Sequence, residues 1–214
     1  MNATSCGRDR PAAPPRDGAK TALLLVDFIN ALDFERGEAL RAPAEAAARR
    51  TAALKSRLTA QGIPAIYAND NFRRWRSNFP ELVEAYSAPD CRGRELARLL
   101  KPEPDDLSVL KPRHSAFYGT PLDHLLRLWG VDTLVICGTV ANICVHYTAA
   151  SAALRWYEVV IPRDTISALD PFDLESSLRQ TAFLFAGRIT TAAALIFEAR
   201  RKGSRPTDDP ALPR

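Results

Sequence analysis

The chain has few histidines and cysteines, and no apolar run long enough to cross a membrane. Its 214 residues include three histidines and four cysteines, and the cysteines form no CxxC pair. Isolated cysteines are typical of reduced thiols in a cytosolic enzyme and argue against a disulfide framework. No segment approaches the ~20 consecutive apolar residues that a transmembrane helix needs, and the amino terminus lacks the apolar run of a secretory signal. We therefore expect a cytoplasmic protein with no membrane partner.

The net charge of +4 is unevenly distributed along the chain, which bears on nucleic-acid binding. Residues 1–20 carry a surplus of +2 and residues 200–214 a surplus of +3, so the remainder is close to −1. A nucleic-acid-binding domain concentrates positive charge on its folded surface, so we expect no nucleic-acid partner. Both ends are rich in proline and arginine, which predicts disordered tails at residues 1–19 and 201–214. One domain is expected over residues 20–200.

Short apolar runs alternate with helical patterns throughout the predicted domain. The apolar runs predict strands at residues 22–26, 63–68, 108–110, 133–137, 158–162 and 188–191. Helical spacing predicts helices at residues 43–61, 92–100, 121–129, 142–156 and 174–185. Because the strands are apolar on both faces, they are expected to form a parallel sheet covered by helices on both sides. The predicted fold class is α/β, a three-layer α/β/α Rossmann-like fold.

Three strand ends carry residues that would form a nucleophilic site. Asp27 follows the first strand, Lys111 follows the third, and the fourth leads to Cys144. Ligands of such folds bind beyond the carboxyl ends of the strands, so an acid, an ammonium and a thiol are expected at one edge of the sheet. Lys111 would stabilise a thiolate, and Asp27 could take the thiol proton and pass it to a leaving group.

The position of Cys144 at the opening of a helix affects its chemistry. The positive end of the helix dipole and a cationic neighbour both lower the pKa of a thiol, so the sequence predicts a depressed pKa. A Cys–His pair with His146 is the rival arrangement. Side chains two residues apart on a helix diverge by about 200°, so His146 is interpreted as a packed helix residue.

Three segments of the chain carry a resemblance to a known superfamily. They are LLVDFIN (residues 24–30), KPRHSAFYGTPLD (residues 111–123) and GTVANICV (residues 138–145). With these segments in this order, the chain resembles the isochorismatase-like cysteine hydrolases, which include nicotinamidases, N-carbamoylsarcosine amidases and isochorismatases. The similarity spans about residues 20–195. It implies a six-stranded, mostly parallel sheet and a homo-oligomer, commonly a dimer or tetramer.

The resemblance also implies roles for individual residues. An Asp–Lys–Cys catalytic triad falls on Asp27, Lys111 and Cys144. A cis peptide bond is implied just before Val140, and the N–H groups of Val140 and Cys144 would form the oxyanion hole.

The segment after the second strand departs from the nicotinamidase pattern. Nicotinamidases share an Asp-x-His metal-binding motif in this segment. In this chain, residues 69–78 contain no histidine. We therefore expect no metal and no other cofactor, and nicotinamide is disfavoured as a substrate. Aromatic and basic side chains could line a pocket for an anionic or planar small molecule. The candidates are Phe34, Phe72, Trp75, Arg76, His114 and Tyr118. The alternative is that Trp75 and Phe79 only pack this loop onto the core or a second subunit.

These observations favour a metal-independent cysteine hydrolase that cleaves a C–N bond of a small amide, carbamoyl or ureido substrate through a thioester on Cys144. An isochorismatase-type hydrolase of a vinyl ether is one alternative. The resemblance implies that such enzymes can act without a nucleophilic cysteine, so a complete triad argues against it. The other alternative is a non-catalytic oligomeric protein that retains the fold.

Overall fold

Strands and helices alternate in the computed structural model, which describes residues 21–71 and 76–196. The predicted tails at residues 1–19 and 201–214 lie outside the described residues. The strands are β1 (Thr21–Val26), β2 (Ala65–Asp70), β3 (Leu107–Lys111), β4 (Thr133–Thr139), β5 (Glu158–Pro162), β6 (Ile166–Ser167) and β7 (Arg188–Thr190). The helices are α1 (Gly37–Thr59), α2 (Phe79–Tyr86), α3 (Arg94–Leu99), α4 (Leu122–Leu128), α5 (His146–Ala153) and α6 (Pro171–Leu184). No helix in the described ranges is long and apolar enough to cross a bilayer.

The strands form one sheet in the order β3-β2-β1-β4-β5-β7, and the short β6 pairs with the carboxyl end of β4. The strand pairs are parallel throughout the described residues. Side chains of β1 alternate between two apolar clusters: Leu24 packs with residues of α4, α5 and α6, and Leu25 with residues of α1, α2 and α3. Helices therefore cover both faces of the sheet, which confirms the predicted three-layer α/β/α fold.

Helix α1 begins at Gly37, six residues before the predicted start. The sequence favours a start at Pro43 because proline is common in the first turn of a helix. In the structure Leu40 and Ala44 are buried, whereas Pro43 faces solvent. Burial of the apolar stripe therefore outweighs the hydrogen bond that proline cannot donate.

Helix α2 has no counterpart in the sequence prediction, which treats residues 69–79 as a polar and aromatic segment. The side chain of Asn78 caps this helix by accepting a hydrogen bond from the Glu81 N–H at 3.0 Å. Its buried residues include Leu82 and Tyr86, four residues apart on one face. A cap and one apolar face are sufficient for a two-turn helix that packs on the core.

The carboxyl edge of the sheet brings polar residues of neighbouring strands together. Val26 at the end of β1 pairs with Gly138 of β4. Gly138 has a φ of +151°, and a Cβ there would lie 2.3 Å from the Val26 carbonyl oxygen, so the position requires glycine. On the other side of β1, Asp70 of β2 pairs with Lys111 of β3. Asp27 follows β1 directly and therefore lies between these two pairs.

Candidate active site

Asp27 leaves β1 in a left-handed backbone conformation, with a φ of 52°. Aspartate tolerates this conformation better than most residues. The turn buries the carboxylate, and its Oδ1 accepts a hydrogen bond from the backbone N–H of Asp70 at 2.7 Å. Its Oδ2 lies 2.8 Å from the Nζ of Lys111. Both oxygens thus have a defined partner, which fixes the orientation of the carboxylate.

Lys111 places a fully buried ammonium at the end of β3. Its Nζ contacts the carboxylates of both Asp27 and Asp70, and lies 3.7 Å from the Sγ of Cys144. A buried cation is costly unless it is paired and hydrogen-bonded. The two carboxylates supply that pairing and hold the ammonium against the sulfur.

The turn that carries Cys144 differs from a regular helix start. The chain leaves β4 through a cis peptide bond between Thr139 and Val140, as the resemblance implies. Ala141–Val145 then form one π-helical turn that leads into α5. The buried hydroxyl of Ser177 on α6 donates to the first carbonyl of this turn at 2.8 Å. Because N–H groups in the first turn of a helix lack intrahelical acceptors, the turn can offer donors to an anion near the sulfur.

The charges of the site determine the protonation of its three groups. Burial raises the pKa of Asp27 to about 6, against the opposing effect of Lys111 and with a further increase from Asp70. Burial and the negative charge of Asp27 also raise the pKa of the Cys144 thiol, which Lys111 only partly offsets. Burial opposes the charge on Lys111, but the negative charges around it are stronger together and raise its pKa.

The predicted depression of the thiol pKa is therefore wrong for this arrangement. Lys111 does lie beside the sulfur, but burial and two carboxylates outweigh its single charge. Near neutral pH the resting site holds a thiol, a carboxylate and an ammonium. Because the carboxylate of Asp27 lies within 4.8 Å of the sulfur, it can receive the thiol proton as the sulfur attacks a substrate.

Asp70 is a site residue that the sequence prediction missed. It ends β2, contacts the ammonium of Lys111 and donates its backbone N–H to Asp27. The strand-end argument that selects Asp27 and Lys111 applies equally to this position. The signal was therefore present in the sequence, in an acidic residue at the end of the second strand.

The same residues include three potential metal ligands. The ligand atoms of Asp27, Asp70 and Cys144 lie within 4.8 Å of one another. The Nζ of Lys111, however, contacts all three side chains. An ammonium there neutralises the carboxylates and would repel a second cation. The cluster therefore suits an internal ion pair better than a metal ion.

The predicted substrate-pocket residues occupy different environments. Phe72 and Trp75 lie outside the described residues. The exposed candidates are Phe34, Arg76 and Tyr118. A pocket shared by these side chains stays a prediction.

Two histidines pack against aromatic rings at helix α5, and one of them, His146, is the first residue of that helix. The ring of His114 lies 5.4 Å from that of Tyr147 on α5, measured between centroids. The ring of His146 packs at the same centroid distance from Phe185, and burial lowers its pKa. The interpretation of His146 as a packed helix residue is confirmed.

The fold and this arrangement of side chains agree with a comparison to known domain families. The Isochorismatase domain matches residues 21–194. The chain belongs to the isochorismatase family. The match covers all the strands and helices described above. It also covers the four residues of the site, which are Asp27, Asp70, Lys111 and Cys144.

Named relatives of this isochorismatase-family chain include amidohydrolases. The isochorismatase family protein YaaI of Bacillus subtilis is 33% identical over 178 residues, which are 83% of this chain and 97% of YaaI. The ureidoacrylate amidohydrolase RutB of Methylorubrum extorquens is 35% identical over 120 residues, 56% of this chain and 48% of RutB. The match to RutB thus spans about half the length of that enzyme. The N-carbamoylsarcosine amidase structure from Thermoplasma acidophilum has a TM-score of 0.64 at 26% identity and covers 82% of this chain and 98% of its own. The family and these relatives identify the chain as a hydrolase.

Proposed function

We propose that this protein is a metal-independent cysteine hydrolase that cleaves a C–N bond in a small amide, carbamoyl or ureido compound. The observation that carries the proposal is the contact of the buried Lys111 ammonium with both the sulfur of Cys144 and the carboxylate of Asp27. A nucleophile, a proton acceptor and a fixed positive charge are the parts that covalent acyl transfer requires.

The proposed reaction begins with proton transfer from the Cys144 thiol to the Asp27 carboxylate. The sulfur attacks the substrate carbonyl carbon, and the N–H groups of Val140 and Cys144 stabilise the oxyanion, each donor contributing about 3 kcal/mol. The C–N bond then breaks, and the departing ammonia or amine takes the proton from Asp27. The product of this half-reaction is a thioester on the cysteine.

Hydrolysis of the thioester uses the same groups in the second half-reaction. Asp27 accepts a proton from water, and the resulting hydroxide attacks the thioester carbonyl. The C–S bond breaks, the acid leaves, and the thiolate recovers a proton from Asp27. Throughout, the ammonium of Lys111 stabilises negative charge on the sulfur.

The names of two relatives support the proposed substrate class. RutB is named for ureidoacrylate, and the Thermoplasma acidophilum enzyme for N-carbamoylsarcosine. Ureido and carbamoyl groups both present a carbonyl carbon bonded to nitrogen. The proposal extends this chemistry to the present chain without choosing between the two compounds.

The test is a panel of small ureido, carbamoyl and amide compounds in which released ammonia is measured with and without a metal chelator. We expect turnover of at least one compound, unaffected by the chelator, and a fall of about 10³-fold or more in C144A. Equal turnover by C144A and the unsubstituted protein would contradict the covalent mechanism. A chelator-sensitive rate would contradict metal independence. A vinyl ether belongs in the same panel, and its cleavage by C144A would favour the alternative reaction.

A further inference from the structure

Helix α6 presents two phenylalanine rings to solvent on the side opposite its packed face, with polar and charged side chains between them. Leu178 and Thr181 are buried against the core, whereas Phe172 and Phe183 are 77% and 87% exposed. A phenylalanine side chain contributes 150–250 Å² when fully buried, so these two rings expose on the order of 300 Å². Because about three helical turns separate them, the rings offer two separate contacts, and aromatic residues are enriched at protein–protein interfaces.

The side chains on this exposed face of α6 follow a nearly symmetric order about the midpoint of the helix, between Ser177 and Leu178. Phe172 and Phe183 lie at equal distances from that midpoint. Because 11 residues complete about three helical turns, both rings lie on one face. Glu175 and Arg179 lie between them, on the same flank of the exposed face because they are four residues apart.

An antiparallel second copy of the helix would match this order. Phe172 of one copy would lie opposite Phe183 of the other, at both ends of the contact. Glu175 would lie beside Arg179 of the second copy, offset along the axis by one residue, or about 1.5 Å. Two carboxylate–guanidinium pairs would then form between two aromatic pairs. A parallel two-fold arrangement would place these flanks on opposite sides of the contact, so that no carboxylate would lie beside a guanidinium group of the second copy.

We propose that the exposed face of α6 pairs with α6 of a second copy of this chain about a two-fold axis. In such an interface each residue contact occurs twice. Glu175 also pairs with Arg163 of its own chain, so its carboxylate would lie between two guanidinium groups. The pairing specifies the face and the partner of the homo-oligomer that the family resemblance implies, and it is independent of the proposed reaction.

Sedimentation equilibrium, which measures the mass and the dissociation constant of the dimer, tests this pairing. The unsubstituted protein should be a dimer, and R179E should raise its dissociation constant about tenfold or more, because carboxylates would face each other at both pairs. E175R should do the same with guanidinium groups. The double variant E175R/R179E, and an equimolar mixture of the two single variants, should both recover association.

Matched controls make each outcome decisive. R50E reverses an exposed charge on α1, on the other side of the sheet, and should leave the dissociation constant unchanged. Circular dichroism of each variant establishes that it is folded. An unsubstituted protein that is monomeric at about 100 μM would overturn the proposal. So would a dimer whose dissociation constant is the same in R179E, since that dimer would use another face.

Discussion

In the proposed reaction, Asp70 acts without touching the reacting atoms. It holds the ammonium of Lys111 through its side chain and the carboxylate of Asp27 through its backbone N–H. Its charge also contributes to the raised pKa of Asp27. We therefore interpret Asp70 as a positioning residue, which sets both the place of the ammonium and the proton affinity of the base.

This role predicts a change in the pH dependence of the D70N variant. In the unsubstituted protein, kcat/KM should fall as the pH drops through about 6, because protonated Asp27 cannot accept the thiol proton. Removing the charge of Asp70 removes one cause of the raised pKa of Asp27. The acid limb should then move to lower pH, and kcat/KM should fall about 10- to 100-fold as Lys111 loses a partner. A pH–rate profile measures both effects.

Asp106 offers a matched control for this prediction. It forms a similarly buried ion pair with a lysine, at 2.7 Å from the Nζ of Lys55. D106N should lower the free energy of unfolding but leave the acid limb where it is. An acid limb that stays near pH 6 in D70N, or moves upward, would show that Asp70 does not influence Asp27.

At the residue scale, the sequence was sufficient to select the residues of the proposed triad, but not to predict which of them carry a proton. The strand-end argument selects Asp27, Lys111 and Cys144 because parallel strands share one carboxyl edge. It did not select Asp70, because the second strand was predicted to end at residue 68, whereas β2 continues to Asp70. The thiol pKa depends on the burial and number of carboxylates around the sulfur. Those quantities are set by contacts between residues far apart in the chain.

At the scale of secondary-structure elements, the contact between β1 and β4 leaves no room for a side chain at Gly138. A Cβ at Gly138 would meet backbone atoms of Val26, which cannot move aside without separating the two central strands. We expect G138A to lower the free energy of unfolding by about 3 kcal/mol or more. Activity should also fall, because Asp27 and Cys144 follow these two strands. Urea denaturation and kcat/KM measure the two consequences.

A substitution at Gly130 tests the cost of a left-handed backbone conformation without the steric clash that occurs at Gly138. It has a φ of +64°, and a Cβ there would meet no atom within 4 Å. G130A should therefore cost only the backbone term, about 1 kcal/mol, and leave kcat/KM unchanged. Equal destabilisation of the two variants would mean that the close approach at Gly138 is not important for stability.

Helix boundaries were less predictable than strand ends because tertiary burial determines them. The sequence predicts Pro43 in the first turn of α1. In the structure the helix begins at Gly37, which buries Leu40. The regular helix predicted from residue 142 begins instead with a π-helical turn, in which Ala141 is held by Ser177 of a distant helix. Neither long-range contact has a local sequence signal.

For the whole molecule, apolar strands alternating with helices were sufficient to predict the layered fold. The resemblance added the residue roles and the expectation of an oligomer, but it specified no contact face. The exposed face of α6 that carries Phe172 and Phe183 becomes recognisable once the structure identifies Leu178 and Thr181 as the buried side of the helix. A candidate interaction surface on a helix is therefore found only after the residues that pack into the core are known.

The two apolar clusters should also unfold together, because β1 contributes alternate side chains to both. Leu24 and Leu25 are each fully buried, one in each cluster. L24A and L25A should each lower the free energy of unfolding by about 2–5 kcal/mol, with one cooperative transition in urea. L154A, at a leucine that is 81% exposed, should change it by less than about 0.5 kcal/mol. Tryptophan fluorescence, to which Trp129 in the cluster of Leu24 contributes, and far-ultraviolet circular dichroism should report the same midpoint. Separate midpoints in L24A would mean that one helical layer can unfold alone, and that the central strand does not couple the two faces.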